Sequence, residues 1–582
     1  YRISLINLER ARGGTRGQAP WLLAPGPAEA ASAVGLPQPT TSEQLAQLAE
    51  LLNLPTEQVA AAQAEIDDPN RPRLQPVVVV EDADAQTLTT VRERLWALPS
   101  VLVQAVPVRR YPFGPLGAHA LGYVGTISAS QLAAERVLDD ERIARLAAEL
   151  ANARRRTPNS ELDRVDELAH QLRIAERMRD QAQRVVGKTG LELTYDQDLR
   201  GEPGLQTWQV NARGQPLKLL STTQGAPGAQ LVLNLDVKLQ EAAVRALAGR
   251  RGAVVALDPR DGSVLALVSS PSYDPNLFIP RLKQADWDKL NVDARPLLDR
   301  ALAGAQPPGS TYKAMVTTAA GFGAGVINNQ TTCTCRGGMR IGGAFKRCWA
   351  THGFVTLDTA VAHSCDVFYY IAALRMGPQP MIDMAGEFGL GALTGIDLPG
   401  ERPGQLPDLE RHRRRWRREW YPGDSANIAI GQGDVTATTL QMAQVTAAVA
   451  NGGRLWRPRV VRQVRSSDGS ALLRAIEPEL LGRVDVLPAA LAAIERGMVA
   501  AVERGTGRGA ALPGIVVAAK TGSSETGGGR RAHAWFSSYA PVGRAEIAIC
   551  ALVEHGGHGS EAAGPVARAI MEAYFAQERA QP

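Results

Sequence analysis

The spacing of hydrophobic and polar positions divides this chain into two unlike parts. Residues 42–65 carry apolar side chains at helical spacing, whereas 75–80 (QPVVVV) and 101–108 (VLVQAVPV) are short valine-rich runs that read as strands. From 139 to 183 the chain is densely charged yet keeps a helical period, and Thr157-Pro158-Asn159 interrupts it, which predicts a helical hairpin. Such a hairpin is either a partner-binding arm or, more commonly, a solvated antiparallel pair. Beyond 231 the apolar runs lengthen. The pattern there predicts a helix over 237–247, a strand over 253–257, a turn at Asp258-Pro259-Arg260-Asp261-Gly262 and a return strand to Val268. Near the other end, 514–519, 532–539 and 547–553 read as strands and 564–577 as a closing helix. The expected architecture is α+β: a non-catalytic pedestal over 1–230, and an antiparallel sheet flanked by helices over 231–582.

Three short motifs follow one another through the second part: Ser310-Thr311-Tyr312-Lys313, Ser364-Cys365-Asp366 and Lys520-Thr521-Gly522. A serine hydroxyl is a poor nucleophile until a base takes its proton. If Ser310 begins a helix, Lys313 lies one turn on and on the same face. Pro307-Pro308-Gly309 is a helix-breaking lead-in, and 314–320 (AMVTTAA) reads as an apolar helix that buries the site. Desolvation and neighbouring cations lower an amine's pKa, so Lys313 can serve as general base. Alone, the first motif also describes a helix-capping serine followed by a lysine; the ordered triple points to acyl transfer without a histidine. Lys520 and Thr521, at the end of the 514–519 strand, suit a substrate carboxylate, and Gly522 lets another backbone come close. The N–H groups of Ser310 and Ser523 are oxyanion-hole candidates, each such donor being worth about 2.7–4 kcal/mol in other acyl-transfer enzymes. The same tripeptide also occurs as Lys188-Thr189-Gly190, where it reads as a structural turn.

These motifs resemble Ser-x-x-Lys, Ser-Asp-Asn and Lys-Thr-Gly, the signature of penicillin-binding proteins and class A β-lactamases. Further matching segments are Gly187-Lys-Thr-Gly-Leu-Glu192, Leu199-Arg-Gly-Glu-Pro-Gly204, Gly252-Ala-Val-Val-Ala-Leu-Asp-Pro259, Trp420-Tyr-Pro-Gly-Asp424 and Gly431-Gln-Gly433 with Thr436-Ala-Thr438. Over roughly residues 100–575 the chain resembles a class B penicillin-binding protein, most of all the elongation-specific transpeptidases of Gram-negative rods. The resemblance implies a penicillin-binding transpeptidase fold on an elongated α+β pedestal of the dimerisation type. It implies a D,D-transpeptidase that acylates Ser310 with the penultimate D-alanine of a peptidoglycan stem, passes the acyl group to an amine, and is blocked by β-lactams. Ser364, Asp366, Lys520, Thr521, Gly522 and Ser523 join Ser310 and Lys313 as the implied catalytic set. The second motif commonly ends in Asn; Asp366, as in elongation-type members, accepts hydrogen bonds only and is expected to pair with Lys313 or Lys520. Two other readings stand beside this one. A β-lactamase or DD-carboxypeptidase of the same superfamily has against it the pedestal and the lack of a convincing Glu-x-x-Leu-Asn element. A catalytically silent scaffold has against it intact Ser310, Lys313 and Lys520.

Cys333, Cys335, Cys348 and Cys365 crowd, with His352, around the stretch between the first two motifs, at spacings that zinc sites use. Carried over residue by residue, the resemblance implies a structural zinc on Cys335, Cys348, His352 and Cys365, and no cofactor for catalysis. A Cys335–Cys348 or Cys333–Cys348 disulfide, or free thiols, are the alternatives. Cys550, in an apolar run, is expected to be a buried strand residue.

With 582 residues the chain needs two to four domains. A net charge of +5 is small for that length and does not suggest nucleic acid. No run reaches the roughly 18 consecutive apolar residues that suggest a membrane span. The chain begins at Tyr1, so the resemblance implies an N-terminal anchor ahead of it, in a bacterial inner membrane with the catalytic domain in the periplasm. An Asp-Arg-Asn-Gly stretch expected after Arg12-Gly13 is missing. The implied partners are a membrane glycosyltransferase of the shape, elongation, division and sporulation family and a coiled-coil elongation scaffold. The basic run 411–418 is expected to be a solvated loop rather than a lipid or glycan site, with Trp420 and Tyr421 helping to line the cleft.

Overall fold

The computed structural model describes residues 2–5, 40–69, 76–98, 100–104, 108–156, 162–178, 185–202, 204–210 and 216–580. In the N-terminal part, Thr41–Leu52 opens with a capping box: Thr40 accepts from the Glu43 N–H and Glu43 from the Thr40 N–H. Leu45 and Leu48 of this helix, with Ala62 and Ile66 of Thr56–Asp67, share a core with Val77, Val79 and Val103. Those valines come from a three-stranded antiparallel sheet in which Arg2–Leu5 runs between Val77–Val80 and Val101–Gln104.

The charged stretch folds as two helices, Ala129–Arg156 and Leu162–Met178, sealed by Leu146, Leu150, Leu168 and Ala175. The first begins before 139 because the Ser128 hydroxyl accepts from the Gln131 N–H at 3.2 Å and caps it there. The Thr157-Pro158-Asn159 break and the segment after Arg12-Gly13 lie outside the described residues.

The second part is built on a five-stranded antiparallel sheet. Its order is Val264–Ser270, Gly252–Leu257, Ile547–Val553, His533–Ala540 and Ala518–Ser524. Leu239, Ala243 and Leu247 of Val237–Leu247 and Val566 and Ile570 of Gly564–Ala580 cover one face, against Val254, Ala256, Ile549 and Ala551. Val255, Cys550 and Trp535, with opposite side-chain parity, pack with Leu440 of Thr439–Ala450 and with Met315. Coverage of both faces explains why these strands read as unbroken apolar runs. Cys550 is buried, as its neighbours predict.

Two expectations need correction. The strand placed over 514–519 instead spans Ala518–Ser524. Gly514 has φ +73°, Leu512 bridges Ile515 and Val516 is 55 % exposed, so the β-branched run is still turning before it joins the sheet. Lys520, Thr521 and Gly522 thus occupy the middle of the edge strand, not its end. The basic run is also not a loop: Leu409–Trp416 is a helix. Asp408 caps it by accepting from the Arg411 N–H at 2.9 Å. His412 turns inward onto Trp420, with ring centroids 4.8 Å apart, and onto Asp434, with Nδ1 to Oδ2 at 3.0 Å. Trp420 therefore packs on this helix, and Tyr421 is 56 % exposed.

Candidate active site

Gly309 holds φ +57° just before Ser310, and a Cβ there would lie 2.8 Å from the Ser523 carbonyl oxygen. On the other side the Gly309 N–H donates to the Gly431 carbonyl at 2.9 Å, and a Cβ on Gly431 would meet the Gly309 oxygen at 2.3 Å. The serine turn is thus clamped between the edge strand and Gly431-Gln432-Gly433, at separations that only glycine permits. The Ser523 nitrogen lies 3.3 Å from the same Gly309 Cβ position, so the Ser310 and Ser523 N–H groups come from adjacent backbones. From Ser310 the helix continues to Gly323, but Lys313–Thr317 is wound as a π-turn rather than the ordinary helix expected over 314–320. Such turns occur preferentially at functional sites.

Lys313 and Lys520 are both fully buried. Lys313 Nζ donates to the Ser364 carbonyl at 2.8 Å and to Asp366 Oδ1 at 2.5 Å, and lies 5.7 Å from the centroid of the Tyr369 ring. Lys520 Nζ donates to Ser364 Oγ and to the Thr521 carbonyl, each at 2.8 Å. Burial holds the Lys520 amine well below the ordinary lysine range; the Lys313 charge acts in the same direction and Asp366 opposes it. Asp366 pairs with Lys313. Among the described residues no hydrogen bond joins Lys313 to the Ser310 hydroxyl; its amine is turned toward the second motif.

Ser364 sits at φ +58°, an unfavourable conformation for a residue with a Cβ, costing about 1–3 kcal/mol. The kink falls between Leu357–Ala362 and Asp366–Met376, where the Ser364 hydroxyl meets Lys520 and its carbonyl meets Lys313. Two residues outside the motifs hold it. The Trp349 indole N–H donates to the His363 carbonyl at 3.0 Å and to that of Ser364 at 3.2 Å. Thr506 donates its N–H to the Ala362 carbonyl at 3.1 Å, and its hydroxyl lies 2.7 Å from that of Thr521. The glycines either side of Thr506, at a helix end, were the available sequence signal for it. Gly522 is needed for closeness: a Cβ would lie 3.0 Å from both the Pro308 oxygen and Trp535 Cβ.

Thr332–Cys335 pairs with Gly353–Thr356 and brings the cysteines and His352 together. The ligand atoms of Cys335, Cys348, His352 and Cys365 all lie within 4.8 Å of one another. Cys348 Sγ is 3.5 Å from His352 Nδ1, and His352 Nε2 is buried without a hydrogen-bond partner among the described residues. A tetrahedral zinc with bonds of about 2.3 Å to sulfur and about 2.0–2.1 Å to nitrogen holds S and N about 3.5 Å apart. The donor set therefore fits that ion in number, softness and spacing. All five cysteines are unbonded thiols here. Hydrogen bonding to Cys333, together with burial, pushes the Cys365 thiol up to about 12, so metal binding would displace its proton.

Residues 252–572 match the model of the penicillin-binding protein transpeptidase domain, and 29–143 with 164–233 match that of the penicillin-binding protein dimerisation domain. The chain belongs to the penicillin-binding transpeptidase family. The break in the second match of this penicillin-binding transpeptidase falls across the helical hairpin, whose first helix ends at Arg156. The peptidoglycan D,D-transpeptidase MrdA of Acinetobacter baumannii is 32 % identical over 507 residues, spanning 84 % of this chain and 69 % of the relative. A crystal structure of Pseudomonas aeruginosa PBP2 in complex with WCK 5153 has a TM-score of 0.63 at 32 % identity, covering 81 % of this chain and 91 % of that one. A complex between PBP2 and MreC from Helicobacter pylori gives 0.74 at 26 % identity, covering 94 % and 93 %. The antiparallel sheet flanked by helices, behind an N-terminal dimerisation domain, is the architecture of these relatives.

Proposed function

We propose that this chain is a serine-type peptidoglycan D,D-transpeptidase that cross-links stem peptides during lateral wall elongation through an acyl-enzyme on Ser310. One observation carries the reading: Lys313, Ser364, Asp366 and Lys520, from three distant motifs, form a single buried hydrogen-bonded network beside the start of the Ser310 helix. Ser310 Oγ attacks the carbonyl carbon of the penultimate D-alanine while its proton passes to an amine of the network. Lys313 is that amine by position, one turn from Ser310, and takes the proton once its own has moved to Asp366 along their 2.5 Å hydrogen bond. Lys520, whose amine pKa is lowered by burial, holds the Ser364 hydroxyl, while Lys313 holds the carbonyl of the same residue. The Ser310 and Ser523 N–H groups stabilise the oxyanion. The C–N bond then breaks, the network returns the proton to the departing D-alanine, and an acceptor amine attacks the ester and restores the Ser310 hydroxyl. Ala518–Ser524 is an edge strand, so the donor pairs along it in extended form, with its terminal carboxylate at Lys520 and Thr521.

Cys335, Cys348, His352 and Cys365 are assigned a structural zinc. Cys365 stands between Ser364 and Asp366, so the ion would brace the kinked segment and take no part in acyl transfer. Metal analysis is expected to find one zinc per chain, and a chelator to lower the melting temperature; a metal-free preparation indifferent to chelation overturns the assignment.

A membrane glycosyltransferase is the partner that supplies the polymerised glycan, a reading supported by the likeness, at 28 % identity and a TM-score of 0.67, to a peptidoglycan synthase complex that coordinates polymerization and crosslinking, and an elongation scaffold related to MreC docks on the N-terminal part. An N-terminal anchor in the inner membrane is proposed to place the catalytic half in the periplasm. Among the described residues no helix is long and apolar enough to cross a membrane.

The functional test supplies an acyl-D-Ala-D-Ala peptide with an acceptor amine and follows both D-alanine release and the cross-linked product. Cross-linking supports the proposal. Hydrolysis alone identifies a carboxypeptidase, rapid turnover of penicillin a β-lactamase, and no reaction of either kind a scaffold.

A further inference from the structure

Tyr369 meets Lys313 at both its amine and its backbone, yet it belongs to none of the three motifs. It stands on Asp366–Met376, one turn beyond Asp366 and on the same face. Asp366 Oδ1 accepts from Lys313 Nζ, and the Tyr369 ring centroid lies 5.7 Å from that nitrogen, inside the roughly 6 Å over which a ring face attracts a cation. The phenol end reaches the backbone of the same lysine. Its oxygen lies 3.0 Å from Thr318 Oγ1, which donates to the Lys313 carbonyl at 3.2 Å. A threonine hydroxyl carries a single proton, so with that proton on the carbonyl Tyr369 is the donor to Thr318. Burial raises the phenol's pKa, which keeps the donor protonated. Lys313, Thr318 and Tyr369 are all fully buried.

The carbonyl at the end of this chain is the one that makes the π-turn. The Thr318 N–H also bonds to it, five residues on rather than four. In the ordinary register that carbonyl would pass to the Thr317 N–H, and Lys313 would turn by about 100° relative to the helix that follows. Its amine would then leave the Ser364 carbonyl and Asp366. Two hydroxyls, one of them anchored on a second helix, oppose that slip.

We propose that Tyr369 is a positioning residue for acylation: through Thr318 it locks the π-turn that aims the Lys313 amine at Ser364 and Asp366. Its role is placement, not chemistry. The proposal rests on the reading that Ser310 is acylated with Lys313 as its base, and adds what keeps that base in place.

Penicillin acylation of the full chain by stopped flow tests it, because the rate series resolves non-covalent binding from the first-order acylation step. Tyr369→Phe is expected to slow acylation about three- to tenfold, as loss of one hydrogen bond allows, with binding kept within about twofold. Thr318→Val should slow the same step, whereas Thr318→Ser, which keeps the hydroxyl, should leave it unchanged. The double variant Y369F/T318V should be no slower than T318V alone, since both substitutions cut one chain. Tyr539→Phe is the matched control: Tyr539 is equally buried and donates to Glu495 Oε2 at 3.2 Å. It should lose comparable stability in denaturant unfolding and keep the native acylation step. An unchanged step in Tyr369→Phe, additive losses in the double variant, or equal slowing in Tyr539→Phe overturns the role. A native chain that takes no penicillin removes the transpeptidase reading itself, whereas native acylation with an indifferent Tyr369→Phe removes only this lock.

Discussion

The tripeptide Lys-Thr-Gly occurs twice in this chain, and the two copies do unrelated work. At 188–190 it links Val185–Gly187 to the short helix Gly190–Thr194. Lys188 Nζ donates to Gln131 Oε1 at 2.5 Å, and the buried Thr189 hydroxyl has no hydrogen-bond partner among the described residues. Gly190 is required by conformation: φ is +58°, and a Cβ would lie 2.5 Å from the Gly122 nitrogen. At 520–522 the same residues lie in an extended strand. Lys520 meets the Ser364 hydroxyl, Thr521 meets Thr506, and Gly522 is required by the nearness of Pro308 and Trp535. Burial lowers the amine pKa in both places, but only at Lys520 does a second lysine add to it. The residue types supply the groups; the elements folded against them decide whether those groups meet a nucleophile.

Substitution at the two lysines separates the copies most. Lys520→Ala is expected to slow penicillin acylation by about 10²–10⁴-fold, and Lys188→Ala to leave it within about twofold, read as second-order labelling rates; comparable losses would break the contrast. The glycines then sort stability from rate. Gly190→Ala forces both a left-handed conformation and a backbone clash and should cost more than about 2 kcal/mol in denaturant unfolding. Gly522→Ala should cost less stability while slowing acylation, and the reverse order would show the two assignments exchanged. Thr506→Val removes one hydrogen bond to Thr521 and is expected to cost about 0.5–1.5 kcal/mol, with a severalfold loss in acylation.

A separate effect, confined to acid pH, is a pH dependence at the end of the Ala518–Ser524 strand. His533, paired with Ser524, is held down to about 4 from 6.5, chiefly by burial and then by His555. Its folded pKa is lowered, so between about 6.5 and 4 the unfolded chain binds the extra proton. Stability should therefore fall as pH drops through that window by about 1–2 kcal/mol, after allowance for solvent screening, and stay level above it. His533→Asn should flatten the profile in thermal melts across pH.

That the three motifs would meet was legible in the sequence because each brings its own local geometry: a helix start for Ser310, and a strand for Lys520. The five sheet strands were legible because burial on both faces leaves them uniformly apolar. What failed was boundary and orientation. Valines 516 and 517 suggested a strand that the Gly514 turn delays, and the charge of 411–418 concealed a helix whose one inward residue is His412. Helical spacing put Lys313 on the Ser310 face, yet its amine turns to Asp366, fifty-three positions on, and no periodicity encodes that distance. Trp349 and Thr506 escaped for the same reason: their partners, the carbonyls of residues 362–364, are set by tertiary contact alone.

The most direct test of the central claim is to label the full chain with penicillin, digest it, and locate the adduct by mass spectrometry. A single long-lived adduct on Ser310, absent in Ser310→Ala, is the predicted result. An adduct on any other residue, or one that persists in the Ser310→Ala protein, would contradict the account.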